Sequence, residues 1–373
     1  MDFILDPEQQ MLADSVARFM HSEYGFENRS RRLANGLRNE HWATFARNGW
    51  LGAAFPEAVG GYGGSTIETA IISQQFGRGL VLEPWLGSAV MAAQTLCATA
   101  DTDVIAGWMP SLCEGTKRLA LAWSEPQSRG MPDVISTCAE SRDGRWYLNG
   151  KKSLVLGGEG ADALLVSAWA ENSVTLFLVD AQAPGLTQSP APLHDGSMSV
   201  SVVLDATEAR RLEGDGLVAL REGLAHGVLA LCAELVGAME QSVDVTVEYL
   251  RTRKQFGVPI GSFQTLQHRI ADMAAEMELA RSMLFALLAS FENHDAERRA
   301  PVVNSAKLLI VEAARNVCGQ AIQLHGGMGF TEECAVGQYF NRAVVADLLL
   351  GSRTMRETLR VETLRTTLTG VAK

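Results

Sequence analysis

Positive charge is scarce in this 373-residue chain: 32 lysines and arginines stand against 43 aspartates and glutamates, a formal net charge of -11. A surface of that sign repels phosphate backbones, which argues against nucleic-acid and membrane-surface partners. The stretch from Met1 to Gln10 carries acids where a secretory signal would have a basic and then an apolar segment, and no later apolar run reads as long enough to span a bilayer. A cytoplasmic protein is therefore expected. Six cysteines (Cys97, Cys113, Cys138, Cys232, Cys318, Cys334) show no CxxC spacing, which excludes a zinc knuckle, a dithiol redox site and a disulfide framework, and each is expected to serve as a small core residue. The seven histidines show no HExxH or related spacing, so no metal site is expected. Hydrophobic residues make up 47% and charged residues 20%, as in globular proteins, and the length suffices for two or three packed domains.

Three textures follow one another along the chain. In residues 1–116 the pattern is helical: Asp6 reads as an N-cap with Pro7 first in the helix and Gln9 as reciprocal capping partner, and Ser65 with Glu68 repeats the device. The glycines between, Gly60-Gly61-Tyr62-Gly63-Gly64, read as a turn, since no Gly-Lys-Ser/Thr follows and no strand precedes. Residues 117–214 switch to short β-branched and aromatic runs at Leu119–Trp123, Val134–Cys138, Trp146–Leu148, Leu164–Trp169, Val174–Val179 and Val200–Leu204. Asp143-Gly144 and Asn149-Gly150 are pairs that tolerate tight hairpin turns, so the sheet is expected to be at least partly antiparallel, in a barrel or sandwich. From 215 to 373 the helical period returns, most plainly at Phe263, Leu266, Ile270, Met273, Met277, Ala280, Leu284 and Leu287, a stripe that needs a partner helix.

Three segments of the last region stand out: Arg253-Lys254-Gln255-Phe256-Gly257, Phe263-Gln264-Thr265-Leu266-Gln267, and Gln323-Leu324-His325-Gly326-Gly327-Met328-Gly329-Phe330. In this order, behind a β domain, they resemble the acyl-CoA dehydrogenase family, and the likeness looks nearest to the small subunit of pimeloyl-CoA dehydrogenase. The resemblance implies an α+β multidomain fold: an N-terminal helical domain, a central antiparallel β domain and a C-terminal four-helix bundle. It also implies FAD shared across a subunit interface, an acyl-CoA substrate oxidised to its trans-2-enoyl product, and an electron-transferring flavoprotein as electron acceptor. By the same resemblance Arg253 sits on the FAD pyrophosphate, Phe256 packs on the cofactor, Gln264 hydrogen-bonds near the adenine, Gln323 with Gly326 and Gly327 lets backbone approach the dinucleotide, and Gln255 is a further cofactor-binding residue.

Other family positions are altered. Where the family has a catalytic Glu in Tyr-Glu-Gly-Thr, this chain reads Leu349-Leu350-Gly351-Ser352, and the earlier-helix position some relatives use falls at Gly227-Val228. Leucine takes no proton; Asp347 and His226 are the nearby substitutes, provided their side chains face the substrate. The Lys-x-Trp-Ile-Thr segment beside the flavin ring reads Lys152-Ser153-Leu154-Val155-Leu156, and Ser124 in Ser124-Glu125-Pro126 is a residual flavin contact. The half lent to a neighbour's FAD is kept and the half serving the chain's own ring is eroded. This implies an accessory subunit, in a heterotetramer with a paralogous catalytic subunit, acting on a bulky or dicarboxylic acyl-CoA of fatty-acid or steroid catabolism. A homomeric dehydrogenase with a displaced base and a non-catalytic structural or binding protein are the alternatives.

Overall fold

The structure, a computed structural model, describes residues 4–369; the ends of the two outer regions, 1–3 and 370–373, lie outside the described residues. Asp6 starts α1 (Pro7–Glu23) by accepting from the amides of Glu8 and Gln9, while the Gln9 side chain accepts from the Asp6 amide. Two short helices follow, α2 (Phe26–Ala34) and α3 (Trp42–Arg47), then the glycine-rich turn, then α4 (Thr66–Gly79), opened by the Ser65–Glu68 capping box. Phe19, Phe45, Trp50, Phe76 and Trp85 make the aromatic core of this region, Phe19 meeting Phe45 and Trp50 edge to face, Phe76 meeting Trp85 the same way, and Phe45 and Phe76 lying tilted at 30°. Residues Trp85–Ala92 form a wide π-type helical stretch that leads into α5 (Ala93–Cys97) and α6 (Thr102–Cys113). Such stretches misalign successive side chains and are often found beside functional sites.

The middle region is a closed, mixed barrel. Its strands are β1 (Leu119–Ala122), β2 (Cys138–Arg142), β3 (Arg145–Leu156), β4 (Ala163–Ala170), β5 (Ser173–Asp180), β6 (Leu186–Pro192) and β7 (Met198–Arg211). Pairings β2–β3, β3–β7, β5–β7, β6–β7 and β4–β5 are antiparallel; β1–β4 and a single β2–β4 bridge, Cys138 to Trp169, are parallel. Asp143-Gly144 does turn the β2–β3 hairpin, both residues having positive φ. Asn149-Gly150 does not turn: it lies inside β3, where Asn149 Oδ1 accepts from the Ala206 amide and a β-carbon on Gly150 would stand 2.7 Å from Thr137 Cα. Most of Val134–Cys138 is not strand either, because the amides of Ser136 and Thr137 are taken by the Glu125 carboxylate.

The C-terminal helices are α7 (Gly216–Thr252), α8 (Gln264–Asn293), α9 (Ala296–His325), α10 (Val336–Leu348) and α11 (Arg353–Thr369), with a small β8–β9 hairpin (Lys254–Gln255, Val258–Pro259) between α7 and α8. Among the described residues α7 is the one helix long and apolar enough to cross a membrane, contrary to the expectation of no such run, but it is the central post of the bundle and most of its apolar window is buried. Of the α8 stripe, Met273, Met277, Ala280, Leu284 and Leu287 are buried, whereas its start, Phe263, remains exposed beside the hairpin. Cys113, Cys232 and Cys318 are buried as expected; Cys138 corrects that expectation, because the barrel's outer face leaves it exposed.

Candidate functional site

A cleft of about 950 Å³ opens between the barrel, the π-type stretch and the end of the bundle. Met91, Trp123, Leu154, Leu156 and Leu350 supply its apolar walls, Ser124 and Ser153 its polar floor, and Met355 and Leu359 of α11 its far side. A register break shapes β3 where it borders the cleft. Between Lys152 and Val155 the strand bulges, and Leu154 takes a left-handed backbone conformation (φ 53°) that turns its side chain toward the cleft. At the opposite rim a β-carbon on Gly130 would stand 2.5 Å from Gly351 Cα, so those two turns touch.

Beneath the floor lies a fully buried ion pair absent from the sequence reading. Lys152 Nζ donates to Glu125 Oε1 (2.7 Å) and Ser167 Oγ (3.1 Å). The Glu125 carboxylate also accepts from the amides of Ser136 (2.8 Å) and Thr137 (3.1 Å) and from both their hydroxyls. Burial raises the Glu125 carboxyl, but Lys152 and the hydroxyl donors outweigh it and hold the group down at about 2; burial in turn draws Lys152 down to about 8. Because Ser153 N–H donates to Ser124 O (2.8 Å), the pair ties β1's exit to the β3 bulge and sets the cleft floor. The signal was present in sequence, a Glu and a Lys each bordering apolar strand residues, but nothing local paired them.

The turn after α10 carries Leu350, left-handed (φ 56°) and 6% exposed, its side chain packed on Gly227 of α7. Lys307 of α9 grips this turn from behind by donating to the carbonyls of Leu349 and Gly351, and Arg356 donates to that of Leu350. Burial, aided by Arg356, pushes the Lys307 ammonium down to about 7. Neither substitute base reaches the cleft. Asp347 is drawn away to Arg315 (3.1 Å), and His226 is held by Glu222 (3.3 Å) and lies edge-on to Phe291. Two carboxylates do line the cleft, Glu125 and Glu362. The first is consumed by Lys152; the second lies nine residues along α11 from its first residue, about 13 Å along the helix axis.

The other sequence candidates gather elsewhere, where α7 ends, α8 begins and α9 ends. Arg253, Gln255, Phe256, Gln264, Gln323, Gly326 and Gly327 are all exposed there, and none lines the cleft. Of the predicted cofactor residues the cleft holds Ser124 alone. Phe256 is 90% and Phe330 80% exposed, a large apolar surface for water to meet. Arg253 makes no ion pair among the described residues. A β-carbon on Gly326 or Gly327 would meet nothing within 4 Å, so the backbone there is open to a ligand. An unpaired guanidinium beside open backbone suits the diphosphate of a dinucleotide, whereas leucines at 154 and 156 offer a flavin ring neither an aromatic face nor a hydroxyl.

Comparison with known proteins matches three family models in chain order: acyl-CoA dehydrogenase N-terminal domain at residues 6–116, middle domain at 120–203 and C-terminal domain at 214–361. The chain is 30% identical to acyl-CoA dehydrogenase FadE27 of Mycobacterium tuberculosis, with 87% of each chain covered. Among solved structures, a steroid ACAD variant, Tcur3481-Tcur3483, superposes with TM-score 0.88 at 27% identity, covering 97% of this chain and 99% of that one. The ChsE4-ChsE5 complex of Mycobacterium tuberculosis gives TM-score 0.88 at 26% identity, with both chains covered in full.

Proposed function

The chain belongs to the acyl-CoA dehydrogenase family of FAD-dependent oxidoreductases, and from that premise we propose that it is an accessory subunit which completes the FAD site of a paralogous catalytic subunit. The observation that carries this reading is the division just described: a donor surface exposed at one end of the bundle, and a cleft without a free carboxylate at the turn where the base would stand. Bound FAD supplies acceptance of the acyl β-hydrogen as hydride. This chain's Arg253 holds the diphosphate, Gly326 and Gly327 admit it against bare backbone, Gln255, Gln264 and Gln323 offer amide hydrogen bonds, and Phe256 with Phe330 excludes water from the joint. Leu350 neither takes nor returns a proton, so removal of the α-proton falls to the partner.

The assembly is proposed as a heterotetramer, comparable to the small-subunit arrangement of pimeloyl-CoA dehydrogenase, acting in the cytoplasm on a bulky or dicarboxylic acyl-CoA. Electrons leave to an electron-transferring flavoprotein. Support comes from two similar structures, one described as a complex of two named chains and the other as a steroid enzyme. The test is purification of the chain alone and after co-expression with its paralogue. Alone it is expected colourless and without acyl-CoA-dependent dye reduction, together yellow and active. A yellow, active single chain would overturn the proposal.

A further inference from the structure

Tyr249 and His325 lie between the two donor segments, and their rings are stacked, with centroids 4.3 Å apart and planes 22° from parallel. Tyr249 is one turn before the end of α7, and its carbonyl accepts from the Arg253 amide (2.8 Å). His325 is the last residue of α9 and leads directly into Gly326, whose φ of 61° swings the chain into the open turn. Tyr249 Oη reaches over the stack and donates to the His325 carbonyl (3.4 Å). From the other side His325 Nδ1 donates to the Ala321 carbonyl (2.8 Å), which fixes both the ring plane and the tautomer. His325 is 5% exposed, and burial lowers its pKa against the opposing hydrogen bond to Ala321.

Both segments it joins are otherwise exposed: the hairpin from Arg253 to Pro259, and the turn from Gly326 to Phe330, of which Gly329 alone is buried. A diphosphate that touches a guanidinium on one segment and bare amides on the other binds well only if their separation is fixed before it arrives. We infer that the Tyr249–His325 stack is the joint that sets this separation, making both positioning residues for the dinucleotide lent to the partner. The inference rests on the accessory-subunit reading and names the part of this chain that preorganises the shared site.

The experiment measures FAD affinity of the co-expressed assembly, by flavin fluorescence on re-addition of FAD to protein stripped of it, at temperatures far below unfolding. Tyr249→Leu keeps apolar volume without the ring face, Tyr249→Phe keeps the stack without the hydroxyl, and Arg253→Ala reports on the donor surface itself. Tyr249→Leu is expected to weaken FAD binding about tenfold, the size of one lost preorganising contact, with assembly and melting temperature little changed; Tyr249→Phe is expected to restore most of it. If Tyr249→Leu lowers the melting temperature but binds FAD as the parent does, the stack is packing alone and the inference fails. If Arg253→Ala also leaves FAD affinity unaltered, the accessory-subunit reading fails with it. If Tyr249→Leu does not fold, a loss of affinity in His325→Asn, which keeps a donor to Ala321 and removes the ring, decides for the joint, and unaltered affinity decides against it.

Discussion

Leu350 Cδ1 lies 3.3 Å from the place where a β-carbon on Gly227 would stand. The two positions are far apart in sequence, one on the turn after α10 and one in the middle of α7, yet they address the same point at the wall of the cleft. The family resemblance assigns a catalytic carboxylate to one or the other, and here a leucine and a glycine fill each other's space. Met91 completes the contact, its Cγ 2.7 Å from the same imagined β-carbon. The locus is packed shut with hydrocarbon.

Restoring a carboxylate there therefore disturbs a core contact before it restores chemistry. Leu350→Glu is expected to lower stability by about 2 kcal/mol, since a charged group replaces a buried apolar one packed on Gly227. It is also expected to show no acyl-CoA-dependent dye reduction, because Leu154 and Leu156 still face the cleft. Thermal melts and dye assays of the purified variant check both; robust turnover would mean that the ring pocket is intact. Gly227→Glu is expected to be worse tolerated, since Met91 must first move.

Arg253→Ala is expected to weaken FAD retention by the assembled complex by about 1.5–3 kcal/mol, the range for a charge-assisted hydrogen bond. Roughly a tenfold to hundredfold rise in the dissociation constant follows. The melting temperature of the single chain stays put, because the exposed side chain makes no ion pair among the described residues. Flavin absorbance after extensive dialysis distinguishes the two outcomes.

How much of this was legible beforehand varied with range. The capping boxes at Asp6 and Ser65 and the Asp143-Gly144 hairpin were readable because each is decided within four residues. The Asn149-Gly150 pair misled because Gly150 serves a close approach to Thr137, a contact set by tertiary structure. The missing strand at Val134–Cys138 has the same cause: Glu125 captures backbone amides that a β-rich composition would assign to a neighbouring strand. At the candidate site, the motifs marked the exposed segments that gather at one end of the bundle, and the substitutions at Leu350 and Gly227 were visible one at a time. Their convergence on one point, the Lys307 grip on the turn and the turning away of Asp347 and His226 all depend on packing between helices remote in sequence.

The buried pair under the cleft gives an acid-sensitive stability. Glu125 is held at about 2 against an ordinary 4.5, so its contribution is complete above about pH 4.5 and fades as pH falls toward 2. Melting curves from pH 6 to pH 2 are expected to show a steep acid limb that Glu125→Gln flattens. Lys152→Met is expected to destabilise the chain at pH 7 by about 3–5 kcal/mol, since it strands a buried carboxylate. A Lys152→Met protein as stable as the parent would show the pair to be dispensable.

Phe256 and Phe330 are too exposed to stabilise the isolated chain. Phe256→Ser with Phe330→Ser is expected to leave its melting temperature within about 0.5 kcal/mol-equivalent of the parent, as for surface changes generally, while sharply reducing capture of the paralogue. Size-exclusion chromatography of the co-expressed pair checks this. Undiminished co-elution would place the interface elsewhere on the molecule.

The most direct measurement is an experimental structure of the assembly with FAD bound. The expected density has the diphosphate between Arg253 and the Gly326–Gly327 backbone, and the isoalloxazine ring against the partner subunit beside the partner's carboxylate. A ring seated next to Leu154 of this chain, with a proton acceptor of the same chain over the acyl thioester, would contradict it.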